Sequence, residues 1–93
     1  MAVAALRLVI TGLVQGVGFR AWTRREARRL ALRGWVRNRT DGSVEALLIG
    51  EPEAVAAMAE ACRHGPSFAQ VDDLMRLPTA DDGSPGFGER PTV

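Results

Sequence analysis

The sequence predicts a single α+β domain over residues 1–93, with the element order β-α-β-β-α-β. Short runs in which apolar residues alternate are interspersed with two longer segments whose apolar residues recur at helical spacing. Each half of the chain is then a strand–helix–strand unit, and right-handed crossovers place both helices on one face of one antiparallel sheet. This split βαβ arrangement is called ferredoxin-like, and many unrelated functions share it.

An alternating strand and an amphipathic helix open the chain. Residues 6–11 place apolar side chains at every second position, which indicates a strand with one buried face. From Phe19 to Leu32 the apolar period lengthens to that of a helix, and the arginines of this segment lie off the apolar face. The glycine-containing segment 12–18 therefore connects a strand to a helix.

A hairpin follows the first helix. Residues 35–37 begin a second strand and residues 44–49 form a third. The residues between them, 38–42, end in Asp-Gly, a dipeptide that favours a tight hairpin turn. The second and third strands are therefore expected to be antiparallel neighbours.

The second half supplies a helix, a strand and a tail. Pro52 stands where a helix can begin, and apolar residues recur at helical spacing until the Gly-Pro pair at 65–66 ends the segment. Residues 68–77 are a candidate fourth strand. Residues 79–93 are expected to form a polar loop and a weak C-terminal strand around Phe87.

The composition excludes several classes of function. All 12 basic residues are arginine, and the absence of lysine excludes a lysine Schiff base and the lysine-containing nucleotide-binding loop. One cysteine and one histidine form neither an internal disulfide nor a structural zinc site. A net charge of +1, no signal-peptide pattern and no apolar run near the ~20 residues of a membrane span predict a cytoplasmic protein without nucleic-acid, membrane or metal partners.

The segment VQGVGFR, residues 14–20, is the main candidate for a functional site. Glycine tolerates positive φ, so Gly16 and Gly18 allow successive backbone N–H groups to turn together into an anion-binding concavity, to which the helix N-terminus adds. Arg20 lies in the first helical turn, where a cation is unfavourable unless an anion reverses the local charge, and a guanidinium matches two phosphate oxygens. From the spacing alone, the alternative that Arg20 is an ordinary surface arginine after a glycine turn is slightly favoured.

Asn38 ends the second strand at the rim of the hairpin. Its side-chain amide both donates and accepts hydrogen bonds, so it could orient a water molecule, although it is no strong base. Asparagine is also common in turns because of its local hydrogen bonding, and this interpretation is favoured for the residue taken alone.

Two segments resemble the signatures of the acylphosphatase family. Residues 12–20, GLVQGVGFR, resemble the first signature, and residues 34–45, GWVRNRTDGSVE, resemble the second, in the family's order and separation. The resemblance is dense from about Ile10 to Gly50 and thins toward the C-terminus. Ala31 departs from the pattern, because the family commonly has glycine there, and a helix end tolerates this change if the turn is made elsewhere.

The resemblance implies a hydrolase that cleaves the carboxyl–phosphate anhydride of small-molecule acyl phosphates, without a metal or other cofactor and without a covalent enzyme intermediate. It implies that Arg20 and Asn38 are the catalytic residues, Asn38 orienting the attacking water. The phosphoryl group would be held by the Arg20 side chain and by the loop amides of Gln15, Gly16, Val17, Gly18, Phe19 and Arg20. Inorganic phosphate would be the product or an inhibitor, and the enzyme is expected to be a monomer.

Two other interpretations stay open. A nucleic-acid-binding module can have the same element order, but this chain lacks the paired strand aromatics on which such modules stack bases. A catalytically inactive domain of the same family is disfavoured by the presence of both Arg20 and Asn38. A domain cut from a larger carbamoyl-phosphate-handling protein is a related alternative, and the sequence from Met1 to Val93 favours the expectation of a free-standing enzyme over it.

Overall fold

The computed structural model describes residues 2–93 and contains every predicted helix and strand. The elements are β1 (Ala4–Leu13), α1 (Phe19–Arg29), β2 (Arg33–Asn38), β3 (Val44–Gly50), α2 (Pro52–Cys62), β4 (Gln70–Pro78) and β5 (Phe87–Glu89). Two helices pack on one five-stranded sheet, so the predicted ferredoxin-like α+β fold is confirmed.

The sheet has the strand order β4-β1-β3-β2-β5. The pairs β1–β3, β1–β4 and β2–β3 are antiparallel, as predicted. The antiparallel prediction is wrong for β5, which pairs parallel with β2, with Phe87 opposite Gly34. The physical reason is the connection 79–86, which carries the chain from one edge of the sheet to the other and reverses its direction before β5 begins.

The core lies between the sheet and the two helices. Alternation along β1, β2 and β3 turns one apolar face toward the helices, and the central residues of this face are fully buried. Burial of each large side chain stabilises the fold by about 1.5–3 kcal/mol, so this layer is the main source of stability. Its largest fully buried members include Leu8, Ile10, Val36 and Leu48 from the strands, Phe19 from α1 and Met58 from α2.

Helix α1 ends in a Schellman motif that has alanine at its left-handed position. The Leu32 N–H donates to the Ala27 carbonyl at 2.9 Å, and the Ala31 N–H donates to the Arg28 carbonyl at 3.0 Å. Ala31 has a φ of 57°. The turn is therefore not made elsewhere: Ala31 makes it, because the chain must reverse at once for Leu32 to enter the core.

The sheet face away from the helices carries a second, small apolar cluster, which consists of Trp35, Leu47 and Ile49. The loop 79–86 reaches this cluster, where Asp82 Oδ2 accepts a hydrogen bond from Trp35 Nε1 at 3.1 Å. The guanidinium carbons of Arg37 and Arg90 lie 4.5 and 5.1 Å from the centroid of the Trp35 ring. Two cation–π contacts and the loop 79–86 therefore cover Trp35 on this face.

A buried carboxylate joins three strands on the same face. The Glu45 side chain on β3 is only 3 % exposed. It accepts hydrogen bonds from Arg37 Nε on β2 at 2.7 Å and from Arg7 Nη1 on β1 at 2.5 Å. Burial raises the pKa of the Glu45 carboxyl, but the hydrogen bonds from Arg7 and Arg37 outweigh this effect and hold the pKa below its ordinary value.

Replacing Ala31 by glycine is expected to raise the free energy of unfolding by about 1 kcal/mol, because glycine adopts this left-handed conformation without a Cβ clash. The measurement is the midpoint of urea unfolding at an unchanged m-value. The matched control is Ala57→Gly, at an exposed position inside α2, which should lower the free energy of unfolding by about 1 kcal/mol. If both variants were destabilised alike, Ala31 would carry no strain.

Acid is expected to destabilise the fold through Glu45. Because its pKa is lower in the folded state, its contribution is complete above the unfolded pKa of ~4.3 and is lost as the pH falls through the folded pKa. Glu45→Gln should lower the free energy of unfolding at neutral pH by about 1–3 kcal/mol and flatten its dependence on pH below about 5. Urea unfolding at a series of pH values measures both effects.

The control for this titration is Asp72→Asn, at an exposed position whose side chain forms no hydrogen bond or ion pair within residues 2–93. It should leave the slope of stability against pH unchanged. A Glu45→Gln variant whose stability falls with acid as steeply as that of the wild type would contradict the role of the carboxylate.

Candidate functional site

The β1–α1 loop (residues 14–18) and the end of β2 lie at the same edge of the sheet. Strands β1 and β2 both pair antiparallel with β3, so they run in the same direction and end on the same side. The loop follows the end of β1, and Asn38 is the last residue of β2. The topology therefore brings together the two segments that carry the predicted site residues.

Both ends of the β1–α1 loop are anchored in the core. Val14 and Phe19 are each 1 % exposed, and Val17 packs partly buried against the same cluster. The Phe19 ring meets Trp22 edge to face, with 5.5 Å between ring centroids. Apolar side chains therefore hold the loop from the side of the core, which leaves its backbone for another role.

The loop owes its shape to two glycines in left-handed conformations. Gly16 has a φ of 72° and Gly18 a φ of 81°, and a Cβ added to either would meet nothing within 4 Å. Glycine is therefore required for its backbone angles and not for lack of space. Within residues 2–93, no N–H of residues 15–21 donates to a backbone carbonyl, and the first helical donor is Trp22 N–H to Gly18 O at 3.0 Å.

A β-bulge turns the chain into this loop. The register of β1 against β4 shifts between Thr11 and Gly12, so that Thr11 faces Asp73 but Gly12 faces Val71. Gly12 has a φ of 124°, and a Cβ there would lie 2.3 Å from the Gln70 carbonyl oxygen. The sequence pattern predicted that the strand ends before Gly12, because alternation stops there; the strand continues to residue 13 through the bulge.

Arg20 is the second residue of α1 and is half-buried. Within residues 2–93, no carboxylate lies within ion-pair distance of its guanidinium, whereas Arg24, one turn later, pairs with Glu89 at 3.2 Å. An uncompensated cation beside the positive end of a helix dipole raises the local potential. Together with the N–H groups of the loop, Arg20 makes this corner of the molecule suited to an anion.

Asn38 carries a buried acceptor without a partner. It pairs with Val44 across the hairpin, and Val44 pairs with Ile10, so Asn38 lies in a row that faces the helices. Its Oδ1 atom is buried and accepts no hydrogen bond within residues 2–93. A buried carbonyl oxygen without a hydrogen bond lowers the stability of the fold by about 1–3 kcal/mol. Such unpaired groups are found at functional sites.

The Gln15 side chain joins the β1–α1 loop to the hairpin. Its Nε2 donates to the carbonyl oxygens of Arg39 and Ser43, both at 2.8 Å. The same hairpin turn is closed by the Arg39 N–H, which donates to Ser43 O at 2.9 Å. Hydrogen bonds from the Ser43 hydroxyl and then the Ser43 N–H lower the pKa of the Asp41 carboxyl. The sequence places Gln15 in the site through its backbone only, and nothing in the local pattern signals this side-chain contact.

Other reactive side chains lie outside this corner. Cys62 is fully buried, and burial raises the pKa of its thiol to about 12, which makes it inert as a nucleophile. Over the described range, 2–93, no three His, Cys, Asp or Glu side chains are grouped closely enough to hold a metal ion. Neither helix in this range has the length and apolar character needed to cross a membrane.

The fold and the site define a class: an α+β domain with a glycine-containing loop between its first strand and first helix, an arginine in the following helical turn, and an asparagine with a buried amide oxygen at the end of β2. The acylphosphatase family model matches residues 6–87. The chain therefore belongs to the acylphosphatase family, as the two sequence signatures predicted.

Individual relatives agree with this assignment. The acylphosphatase of Nitrobacter winogradskyi is 55 % identical to this chain over 94 % of each sequence. The crystal structure of acylphosphatase from Bacillus subtilis has a TM-score of 0.90 at 36 % identity and covers 96 % of this chain and 99 % of its own. The structure of an acylphosphatase from Coxiella burnetii also has a TM-score of 0.90, at 31 % identity, and covers 95 % and 93 % of the two chains.

Proposed function

We propose that this protein hydrolyses acyl phosphates at the β1–α1 loop, where the backbone amides of residues 15–20 and the Arg20 guanidinium bind the phosphoryl group and Asn38 orients the attacking water. The activity class predicted from the sequence is confirmed by membership of the acylphosphatase family. The assignment of roles to residues is our inference. Its main support is the run of N–H groups from residue 15 to residue 21 that have no backbone acceptor within residues 2–93.

The chemistry of the leaving group explains why few side chains are needed. Cleavage of an acyl phosphate at phosphorus releases a carboxylate, whose conjugate acid has a pKa of about 4, so it departs as the anion without a general acid. Phosphoryl transfer then requires mainly positioning and stabilisation of charge on the equatorial oxygens. No nucleophilic side chain is needed, in agreement with the inert character of Cys62.

The β1–α1 loop supports the binding of a phosphoryl group by its geometry. Gly16 and Gly18 hold the backbone in left-handed turns, a conformation in which neighbouring N–H groups point toward one side. Arg20 adds a charged, planar donor that can contact two phosphate oxygens at once. Charge-assisted hydrogen bonds contribute about 1.5–3 kcal/mol each, so a few of them suffice for binding and for stabilising the transition state without a metal ion.

The role of Asn38 is supported by its buried Oδ1 atom. A water molecule that donates a hydrogen bond to this oxygen would satisfy the unpaired acceptor and be held in a fixed direction. An amide is too weak a base to remove the proton, so Asn38 would act by orientation. Inorganic phosphate, which is the other product, would bind the same loop and act as a competitive inhibitor.

The expectation of a monomer stays a prediction from the sequence. The cytoplasmic location and the absence of nucleic-acid and membrane partners stay predictions from the sequence.

Replacement of Arg20 by alanine is expected to lower the turnover of benzoyl phosphate by at least about 10²-fold and to abolish inhibition by inorganic phosphate, because a charged donor to the phosphoryl oxygens is lost. Initial rates with and without phosphate, each in excess chelator, measure both effects. The matched control is Arg25→Ala, an exposed position on the same helix without an ion pair within residues 2–93, which should keep both properties. Undiminished phosphate inhibition in Arg20→Ala would show that the loop binds the anion without this side chain.

Replacement of Asn38 by alanine is expected to lower kcat by about 10²-fold or more while the inhibition constant of phosphate stays within about threefold, because orientation of the water is lost but the anion site is kept. The free energy of unfolding should stay within about 1 kcal/mol of the wild type, since the removed Oδ1 has no partner in the fold. Steady-state kinetics and urea unfolding provide these values. If phosphate affinity fell as much as kcat, Asn38 would build the anion site instead.

A further inference from the structure

We infer that the Gln15 side chain is a positioning residue that sets the distance between the two halves of the site, the β1–α1 loop and Asn38. This inference rests on the proposed function, because it concerns how the proposed water-orienting group is placed relative to the proposed phosphoryl site. It assigns Gln15 a second role beside that of its backbone N–H in the loop.

The two hydrogen bonds of Gln15 use the whole donor capacity of its side chain. The Nε2 group carries two hydrogens, and two carbonyl oxygens, those of Arg39 and Ser43, lie 2.8 Å from it. A backbone carbonyl can only accept, so the amide must present nitrogen to both of them, and its orientation is fixed by chemistry. These hydrogen bonds bridge 24 and 28 residues of sequence, so they join parts of the chain that are otherwise remote.

The two acceptors both lie on the turn side of the Asn38–Val44 pair. Arg39 follows Asn38 directly on one strand, and Ser43 precedes Val44, the residue paired with Asn38 on the other strand. Gln15 therefore holds the hairpin one residue beyond the Asn38–Val44 pair, on both strands at once. A shift of the loop relative to this pair would break both hydrogen bonds together.

No other hydrogen bond ties the loop to this part of the hairpin. Within residues 2–93, the two bonds of Gln15 are the only ones that connect residues 14–20 with residues 38–44. The loop N–H groups cannot serve as ties, because in the proposed function they bind the substrate. Misplacement of reacting groups by about 1 Å costs about 10²-fold in rate, so a tether at this point controls turnover more than it controls phosphate binding.

The test separates the placement of Asn38 from anion binding. Gln15→Met keeps the length and volume of the side chain and the loop N–H but removes both donors. We expect kcat for benzoyl phosphate to fall by about tenfold or more, whereas the inhibition constant of inorganic phosphate changes by less than about threefold. The matched control is Gln70→Met, an exposed glutamine at the start of β4, which should leave both values unchanged.

A double-mutant cycle shows whether Gln15 acts through Asn38. In the Asn38→Ala background, Gln15→Met should lower kcat by less than about threefold, because the group that it positions is already absent. Fully additive losses would overturn the inference, and so would a Gln15→Met enzyme with wild-type kcat or one whose phosphate affinity falls as much as its kcat.

The outcomes also separate this inference from the proposed function. An inactive wild-type protein would contradict both the proposed function and the positioning role of Gln15. An active wild type whose Asn38→Ala variant is inactive but whose Gln15→Met variant is normal would remove only the role of Gln15. Circular dichroism establishes that each variant is folded. If Gln15→Met is not, Gln15→Asn replaces it in the same cycle, because its shorter side chain cannot reach both carbonyls while its polarity is kept.

Discussion

The proposed site depends on one constraint: a backbone segment whose N–H groups bind an anion cannot use those groups to hold its own conformation. Ordinary loops are fixed by backbone hydrogen bonds, but residues 15–21 make none to backbone carbonyls within residues 2–93. Side chains therefore hold the loop. Val14 and Phe19 fasten its two ends in the core, Gln15 fastens it to the hairpin, and left-handed glycines set the path between them.

The hairpin that carries Asn38 is also held by side-chain contacts. In the proposed function Asn38 orients water, and it can do so only if the position of its own side chain is fixed. On the face away from the helices, Glu45 and its two arginine partners tie β1, β2 and β3 together one residue from Val44, the partner of Asn38. At the turn, Asp41 accepts from the Ser43 N–H and hydroxyl. Gln15 adds the contact from the loop, so the hairpin is held on three sides.

The sequence predicted the helices, the strands and the topology because these depend on periodicity and turn residues that are local in the chain. What it missed depends on contacts made across the fold. Ala31 adopts a left-handed conformation because Leu32 has to be buried, and Gly12 forms a bulge because β4 passes close to it. The parallel direction of β5 follows from the course of the loop 79–86. The partners of Gln15 lie 24 and 28 residues away, so no local pattern indicates them.

The proposed site combines three features that are each unfavourable in isolation. Arg20 stands beside the positive end of a helix, the loop N–H groups have no backbone acceptor, and Asn38 Oδ1 is buried without a donor. A phosphoryl group beside a water molecule would satisfy all of them, since the anion accepts from the N–H groups and the guanidinium while the water donates to the amide oxygen. Because these groups are fixed before substrate arrives, little reorganisation is needed during the reaction. The large apolar core, in which the ends of the loop are anchored, supplies the stability that such a site requires.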